Sequence, residues 1–234
     1  MIDNKPISLG DYSSSIIEVL KWLGIVSMTS DHVGILFFNH IDIFRMFGRF
    51  AFPIFGFVLV YNFIYHSTNK EKYIKRLILV ALLVEPIHFI CFQNHYIGLN
   101  IFFIYAFALS ILYVYELVQD NKNPKKSQKL FLLVLIGIFI LVSQYIEFYV
   151  SGLLLVLSFY FTIKNNKFII ITFLFLIILN APDFKYIIST LMILPVGYLI
   201  TKININIPRL KYFFYSYYPL HLLLLGGIAY ALKY

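Results

Sequence analysis

The run LKWLGIVSMTSDHVGILFF at residues 20–38 is apolar for most of its length, yet it contains a lysine, an aspartate and a histidine. A helix of about 20 apolar residues crosses a hydrocarbon core of about 30 Å. Similar apolar segments recur from Ile16 to the end of the chain. This recurrence predicts an all-α fold, a polytopic membrane helix bundle.

The composition agrees with a membrane protein. Of the 234 residues, 61% are hydrophobic and 13% are charged, whereas soluble domains are about 45–50% apolar and about 25% charged. The net charge of +8 does not indicate a nucleic-acid partner, because the basic residues lie in short loops between apolar segments. The lipid bilayer is the expected partner. We expect one integral-membrane domain, 1–234, whose polar N-terminal segment 1–15 is cytoplasmic and is not a cleavable signal peptide.

About nine transmembrane helices are predicted from the apolar segments and the charged, proline and glycine residues between them. They lie at residues 16–38, 49–65, 73–92, 97–118, 129–146, 148–163, 168–181, 185–201 and 212–232. The seventh is short and is expected to be tilted, re-entrant or merged with its neighbour. With a cytoplasmic N-terminus, 15 of the 19 Lys and Arg residues fall on the cytoplasmic side, in accord with the positive-inside rule. The sequence therefore predicts a multi-pass protein of a bacterial inner or plasma membrane.

The first span carries ionisable side chains at bilayer depth, where they are costly and usually mark a working site. Asp31 and His32 lie about ten residues beyond Lys21. Eleven steps of about 100° bring Lys21 and His32 to nearly the same helix face, roughly 16 Å apart along the axis. A cytoplasmic cation is thus expected below a buried imidazole.

Two other spans also carry polar residues at depth. Glu85 and His88 flank Pro86 in the third span, and His221 follows Pro219 in the ninth. Each has a structural alternative, since a membrane histidine can be a hydrogen-bonded helix contact and Glu85 can pair with a basic side chain. Convergence of three spans favours a functional site, because small residues would pack a purely structural bundle at lower cost.

The remaining candidates lie near span ends. Arg49 opens the second span, where it can also anchor the helix end by snorkelling. The single cysteine, Cys91, excludes a disulfide framework and a multi-cysteine metal site, and we expect it to serve packing. Three histidines are assigned to the membrane interface: His40, His66 and His95.

Five segments of the chain resemble a known family, the TraX pilin acetylases, and more distantly the wider group of transmembrane acyltransferases. They are LKWLGIVSMTSDHVG (20–34), FGRFAFPIFGF (47–57), KYIKRLILVALLVEPIHF (72–89), LNIFF (99–103) and KYFFYSYYPLHLLLL (211–225). A basic residue and a histidine with ten residues between them, here Lys21 and His32, are also similar to the hallmark of the wider group. Val84 and Tyr105 depart from the family pattern, which more often has a small residue and a threonine at these positions.

The resemblance implies that acetyl-CoA is the donor substrate, entering from the cytoplasm, with His32 at the reaction centre. Acyl transfer needs a base for the acceptor's proton. We assign this role to His32, with Asp31 as an orienting or charge-balancing group and His221 and Glu85 as partners. The residues assigned to donor binding are Lys21, Arg49, Lys75, Arg76 and Asn100, and no metal is expected.

The acceptor and the covalent route stay open at the level of sequence. The acceptor is an amine or a hydroxyl, on a pilin-like protein or on a glycan. A covalent acetyl-histidine would use the same residues as direct transfer.

Two other classes of protein also remain open. A proton-coupled transporter would use buried Asp, His and Glu residues, although no repeated halves or paired Gly/Pro-interrupted spans indicate one. A non-enzymatic assembly subunit would tolerate conservative replacement of the buried polar residues.

Overall fold

The computed structural model describes residues 14–38, 41–92, 98–202, 207–208 and 210–232. Over these ranges the chain is helical, with a 3-10 turn at Asn166–Phe168 and an isolated bridge between Leu99 and Ile146. The helices are α1 (Ser14–Phe37), α2 (Asp42–Gly48), α3 (Ala51–Tyr65), α4 (Lys70–Phe92), α5 (Ile101–Asp120), α6 (Lys126–Ser143), α7 (Tyr149–Lys164), α8 (Ile169–Ile178), α9 (Phe184–Leu191), α10 (Ile193–Lys202) and α11 (Lys211–Leu232). The predicted all-α fold is confirmed for the described residues.

Within the described residues, four segments are both long and apolar enough to cross a membrane: Asp42–Tyr65, Ile101–Asp120, Lys126–Ser143 and Phe184–Lys202. Two apolar helical segments are shorter: Tyr149–Lys164 and Asn166–Ile178. Helices α1, α4 and α11 have 24, 23 and 22 residues, and they carry many of the polar side chains described below. The chain is therefore a membrane protein, while the count of about nine spans stays a prediction.

Helix boundaries differ from the predicted spans in two regions. The span predicted at 49–65 is preceded by α2, which ends at Gly48, just before α3 begins. The region 168–201 contains three short helices, α8 to α10. Pro182 lies between α8 and α9. Proline favours such a break, because it cannot continue a helix without losing a backbone hydrogen bond. Outside the described residues lie two of the histidines assigned to the interface, His40 and His95.

The main core lies between α1, α3, α5 and α7. Its fully buried side chains include Phe63, Leu109 and Leu155. By contrast, among the 18 residues of α6 only Ser143 is buried, and large side chains such as Leu133 are exposed. Lipid is as apolar as leucine, so the bilayer would cover the open face of α6.

A polar cluster joins α4, α5 and α7 at one end of the core. Lys70 Nζ and the Tyr160 hydroxyl donate to the two oxygens of Glu116, at 2.5 and 3.0 Å. A buried carboxylate left without such partners would cost about 1–3 kcal/mol or more. These bonds therefore hold the first turn of α4 against its neighbours.

Candidate active site

A cavity of about 530 Å³ lies between α1, α3, α4, α5 and α11. Small-molecule sites typically have volumes of about 300–1,000 Å³. Lys21 and His32 both line it, and eleven residues of helix place them roughly 16 Å apart at about 1.5 Å per residue. The two side chains therefore face one cavity, as their spacing predicts.

One end of this cavity, the mouth, is polar and basic. It is lined by Lys21, Lys72 and Arg76 and by the loop at 66–69. Lys72 and Arg76 are exposed, and among the ion pairs of the described residues neither takes part. Lys21 differs, because its Nζ lies 2.6 Å from the buried carboxylate of Glu18. The mouth thus presents two exposed cations and one that is already paired.

The middle of the cavity is mainly apolar. Phe55, Val58 and Leu59 of α3 and Leu77 of α4 contribute to its lining. Removing apolar ligand surface from water contributes about 25 cal/mol per Å². This section therefore suits an uncharged chain that connects two polar groups.

The inner end of the cavity is lined by Asp31, His32 and Glu147. Arg45 of α2 donates to Asp31 Oδ2 at 2.8 Å. Gly48 allows this close approach of α2 to α1, since a Cβ on Gly48 would lie 2.5 Å from the Asp31 Cβ. Asp31 therefore acts across helices, as a partner of Arg45.

His32 and His221 form a hydrogen-bonded pair at the inner end. His32 Nδ1 lies 2.7 Å from His221 Nε2, and the two rings are parallel within 3°, with centroids 5.0 Å apart. On its other side, His221 Nδ1 lies 3.0 Å from the Tyr217 carbonyl oxygen one turn earlier. His221, assigned from the sequence as a partner of His32, thus contacts it directly.

The carbonyl of Tyr217 assigns the tautomers of both rings when they are neutral. A carbonyl oxygen only accepts, so His221 Nδ1 carries the proton and His221 Nε2 is left as an acceptor. His32 Nδ1 then donates to that nitrogen. His32 Nε2 is consequently left with its lone pair, which is the arrangement a general base requires.

Aromatic rings surround the two histidines. Phe92 and Tyr218 lie 5.0 and 6.1 Å from the His32 ring, and Tyr217 lies 5.0 Å from the ring of His221. These rings occupy space that water would otherwise fill. Electrostatic interactions with the histidine pair are therefore stronger than they would be in solvent.

Glu147 is a cavity residue that sequence reasoning missed, because an acidic residue between two apolar segments normally marks an exposed loop. It lies between α6 and α7 and is partly buried. Its burial, and then the charge of Asp31, raise the pKa of Glu147 to about 7, against the opposing charges of Arg49 and Arg45. Arg45 was missed for a similar reason, because a basic residue between two apolar segments normally marks membrane topology.

The loop that carries Glu147 has an unusual backbone. Phe148 and Tyr149 have φ values of 67° and 49°, a left-handed conformation that costs about 1–2 kcal/mol for each residue other than glycine. The Phe148 ring stacks on Phe52 at 4.3 Å, and the isolated bridge ties the loop to the segment before α5. Such strain persists where surrounding contacts hold it. The contacts of this loop therefore hold Glu147 in its position.

Glu85, Asn100 and Lys75 are predicted site residues that neither line the cavity nor contact the histidine pair. Glu85 accepts a hydrogen bond from the Asn100 amide at 2.7 Å, and Asn100 Oδ1 accepts the Phe102 N–H at 3.0 Å. Lys75 lies 2.5 Å from Glu71, and both side chains are largely exposed. In these positions Glu85 and Asn100 hold α4 against α5, and Lys75 forms a surface ion pair, because their polar groups already have partners away from the cavity.

Three further candidates do not join the histidine pair, and of these three His66 alone lines the cavity. The Arg49 guanidinium carbon is 4.6 Å from the Tyr186 ring and 5.8 Å from the Phe148 ring, as in cation–π contacts. His88 is buried in α4. His66, assigned to the interface, lines the mouth.

Cys91 lies where α4 and α11 meet. Its thiol donates to the Leu222 carbonyl of α11 at 3.3 Å, which is a packing contact between the two helices. Among the described residues there is no group of three or more His, Cys, Asp or Glu side chains that could hold a metal ion.

The fold and the site together define an all-helical membrane protein with an internal cavity that is polar at both ends. The chain belongs to the TraX family, whose profile, described as TraX protein, matches residues 16–229. The resemblance of the five segments is thereby confirmed. The match covers most of the chain and overlaps every helix that surrounds the cavity.

Two curated proteins are similar over shorter segments. A probable fimbrial assembly protein, FimC of serogroup H1 from Dichelobacter nodosus, is 33% identical over 73 residues, which is 30% of this chain and 30% of that protein. An uncharacterized protein of Rickettsia prowazekii (strain Madrid E) is 41% identical over 46 residues, or 20% of this chain and 18% of that protein. The chain thus matches less than a third of either relative. No solved structure matches the chain significantly.

Proposed function

We propose that this protein is a membrane-embedded acetyltransferase that moves an acetyl group from cytoplasmic acetyl-CoA to an amine or hydroxyl acceptor. The observation that carries the proposal is a single cavity that joins a basic mouth, an apolar middle and an oriented histidine. Acetyl-CoA has its chemistry in the same order, with phosphates, an uncharged arm and a thioester. Membership of the TraX family supports the same activity.

In the proposed complex, each part of the donor lies against the section of the cavity that suits its chemistry. Its phosphates would meet Lys72 and Arg76 at the mouth, where the charges are exposed. Lys21 also lines the mouth, but Glu18 already compensates its charge, so we assign Lys21 a smaller share of phosphate binding. The arm would then span the roughly 16 Å of α1 that separates Lys21 from His32.

His32 Nε2 is the proposed base. It takes the proton from the acceptor N–H or O–H while the acceptor atom attacks the thioester carbonyl carbon. The bond between that carbon and the sulfur breaks, and CoA leaves as a thiolate. The proton on His32 then passes to the sulfur, which regenerates the neutral imidazole. In the alternative covalent route, Nε2 itself attacks the carbonyl carbon.

His221 is the proposed positioning residue for this base. Through the Tyr217 carbonyl it holds His32 in the tautomer that leaves Nε2 free of its proton. It also continues to accept the His32 Nδ1–H when the ring becomes positively charged. The pair resembles in its logic other catalytic histidines that are oriented by an acceptor on their second nitrogen.

The acceptor is proposed to be a pilin-like protein or a glycan. The relative from Dichelobacter nodosus is named as a probable fimbrial assembly protein, which supports the pilin-like choice. We further propose a multi-pass topology of about nine spans in a bacterial inner or plasma membrane with the N-terminus in the cytoplasm, from which the donor would enter.

A direct test compares wild-type protein with His32→Ala in detergent or nanodiscs. We expect His32→Ala to lose about 100-fold to 10,000-fold in acetyl transfer, which is the contribution typical of a general base. Acetyl-CoA affinity should change little, because the base lowers the barrier and contributes little to ground-state binding. Binding, turnover and thermal unfolding should be measured on the same preparations.

If His32→Ala transferred acetyl groups at the wild-type rate, the reaction centre would lie elsewhere. Failure of the wild-type protein to bind acetyl-CoA would contradict the proposed function as a whole. In that case proton-coupled transport in proteoliposomes is the next activity to measure, since buried ionisable groups also serve proton relays.

A further inference from the structure

Glu147 is an ionisable group at the inner end that the proposed mechanism does not use. It lines the cavity together with Asp31 and His32. Asp31 is already bonded to Arg45, whereas in the described part of the chain no ion pair or side-chain hydrogen bond engages the Glu147 carboxylate. A carboxylate in this position is available to a ligand.

An amine acceptor must lose two protons, and His32 accounts for one of them. An α-amino group has a pKa of about 7.7–8.0 in water, so it arrives mostly as an ammonium ion. That ion has no lone pair for attack, and it must lose one proton before the reaction and a second one during it. His32 takes one proton in each transfer. A hydroxyl acceptor, which arrives neutral, has no such first proton.

We infer that Glu147 binds the ammonium group of the acceptor and takes its first proton, a role that rests on the proposed acetyl transfer. The carboxylate and the ammonium ion become a carboxylic acid and a neutral amine. The amine then attacks the thioester while His32 takes the second proton, which passes to the CoA sulfur. Glu147 returns its proton to water before the next acceptor binds.

Position, strain and acidity each support this role. Next to the cavity, the loop of Glu147 includes Phe148 and Tyr149, whose left-handed backbone conformation is costly. Burial raises the pKa of Glu147 to about 7, close to that of an α-amino group, so a proton can move between them with little change in free energy.

The charged and titratable groups around Glu147 come from five parts of the fold. They are Asp31 on α1, Arg45 on α2, Arg49 between α2 and α3, Tyr105 on α5 and Tyr218 on α11. The alternative to an acceptor-binding role is that Glu147 only balances the charge of the arginines among them. If Glu147 only balanced the two arginines, its replacement would harm the protein equally at every pH. A role toward the acceptor predicts an effect that depends on the protonation of the amine.

The experiment measures kcat/KM for the free N-terminus of Gly-Gly-Gly-NH2, with acetyl-CoA as donor, between pH 6.5 and 9. We expect Glu147→Gln to lose about 100-fold at pH 6.5, and less than about 5-fold at pH 9, where water has already deprotonated the amine. The ratio of variant to wild type is compared at each pH, so titration of His32 in both proteins cancels. Asp120→Asn, an exposed carboxylate at the end of α5, is the matched control and should match wild type throughout.

The outcomes separate the inference from the proposed function. A loss in Glu147→Gln that is the same at every pH, or no loss at all, overturns the inference and leaves acetyl transfer intact. Wild-type protein that binds and hydrolyses acetyl-CoA but transfers to hydroxyl acceptors alone also overturns it. Wild-type protein that does not bind acetyl-CoA contradicts the proposed function itself.

Discussion

The mouth and the inner end of the cavity both concentrate charged side chains, but they arrange them differently. At the mouth, Lys72 and Arg76 are exposed to solvent. At the inner end, Arg45 bonds to Asp31 at 2.8 Å, and His32 is held by its histidine partner at 2.7 Å. The mouth therefore offers charge without fixed geometry, whereas the inner end offers fixed geometry.

The two ends of the cavity should therefore tolerate different kinds of change. Exposed charges attract an anion over a Debye length of about 8–10 Å at physiological salt and are screened as salt rises. They act by their sign more than by their exact position. A base, by contrast, needs the right nitrogen in the right place, so small changes near His32 should have large effects.

After His32→Ala, the largest effect is expected for His221→Ala. This variant removes the acceptor for the His32 Nδ1–H, so the His32 ring can turn or change tautomer, and we expect turnover to fall about 100-fold, near the lower bound for losing a general base. The Kd for acetyl-CoA, measured by calorimetry, should stay within about 2-fold. A rise in Kd with unchanged kcat would instead assign His221 to donor binding and break the contrast between the two ends.

The next effect is expected for Gly48→Ala. The added Cβ would meet the Asp31 side chain at 2.5–2.6 Å, and overpacking of this kind costs about 1–3 kcal/mol. Thermal unfolding should detect it as a lower Tm, together with reduced turnover, since α2 carries Arg45. Gly137→Ala on α6 is the control, because nothing lies within 4 Å of the position that its added Cβ would take, and it should be neutral or slightly stabilising. Equal Tm values for the two variants would show that α2 does not pack tightly at Asp31.

The smallest effect is expected for the double variant Lys72→Ala, Arg76→Ala. Loss of two exposed cations should weaken acetyl-CoA binding about 10-fold, or about 1.4 kcal/mol, with little change in saturated turnover. The difference from wild type should shrink at high salt. Lys75→Ala sharpens the comparison, because Lys75 is bonded to Glu71 away from the cavity and its loss should weaken binding less than about 2-fold. If Lys75→Ala weakened acetyl-CoA binding as much as the double variant does, Lys75 would belong to the donor site.

Part of the site follows from spacing along the chain. The eleven-residue interval between Lys21 and His32 places both on one face, and both line the cavity. Arg76 is likewise predicted near the donor and lies at the mouth. Spacing does not show the partner of Glu85, whose half-buried carboxylate accepts from the Asn100 amide, and its catalytic role stays a prediction.

The membrane class, the all-α fold, the family resemblance and the shared face of Lys21 and His32 follow from the sequence, because hydrophobicity and helical periodicity are local properties of a chain. The contact of His32 with His221, 189 residues away, and the position of Glu147 at the same end of the cavity are seen in the folded chain alone. These contacts depend on how helices pack and on a strained loop between them. Apolar packing allows many helix arrangements for one pattern of hydrophobicity, so no local signal specifies which polar side chains meet.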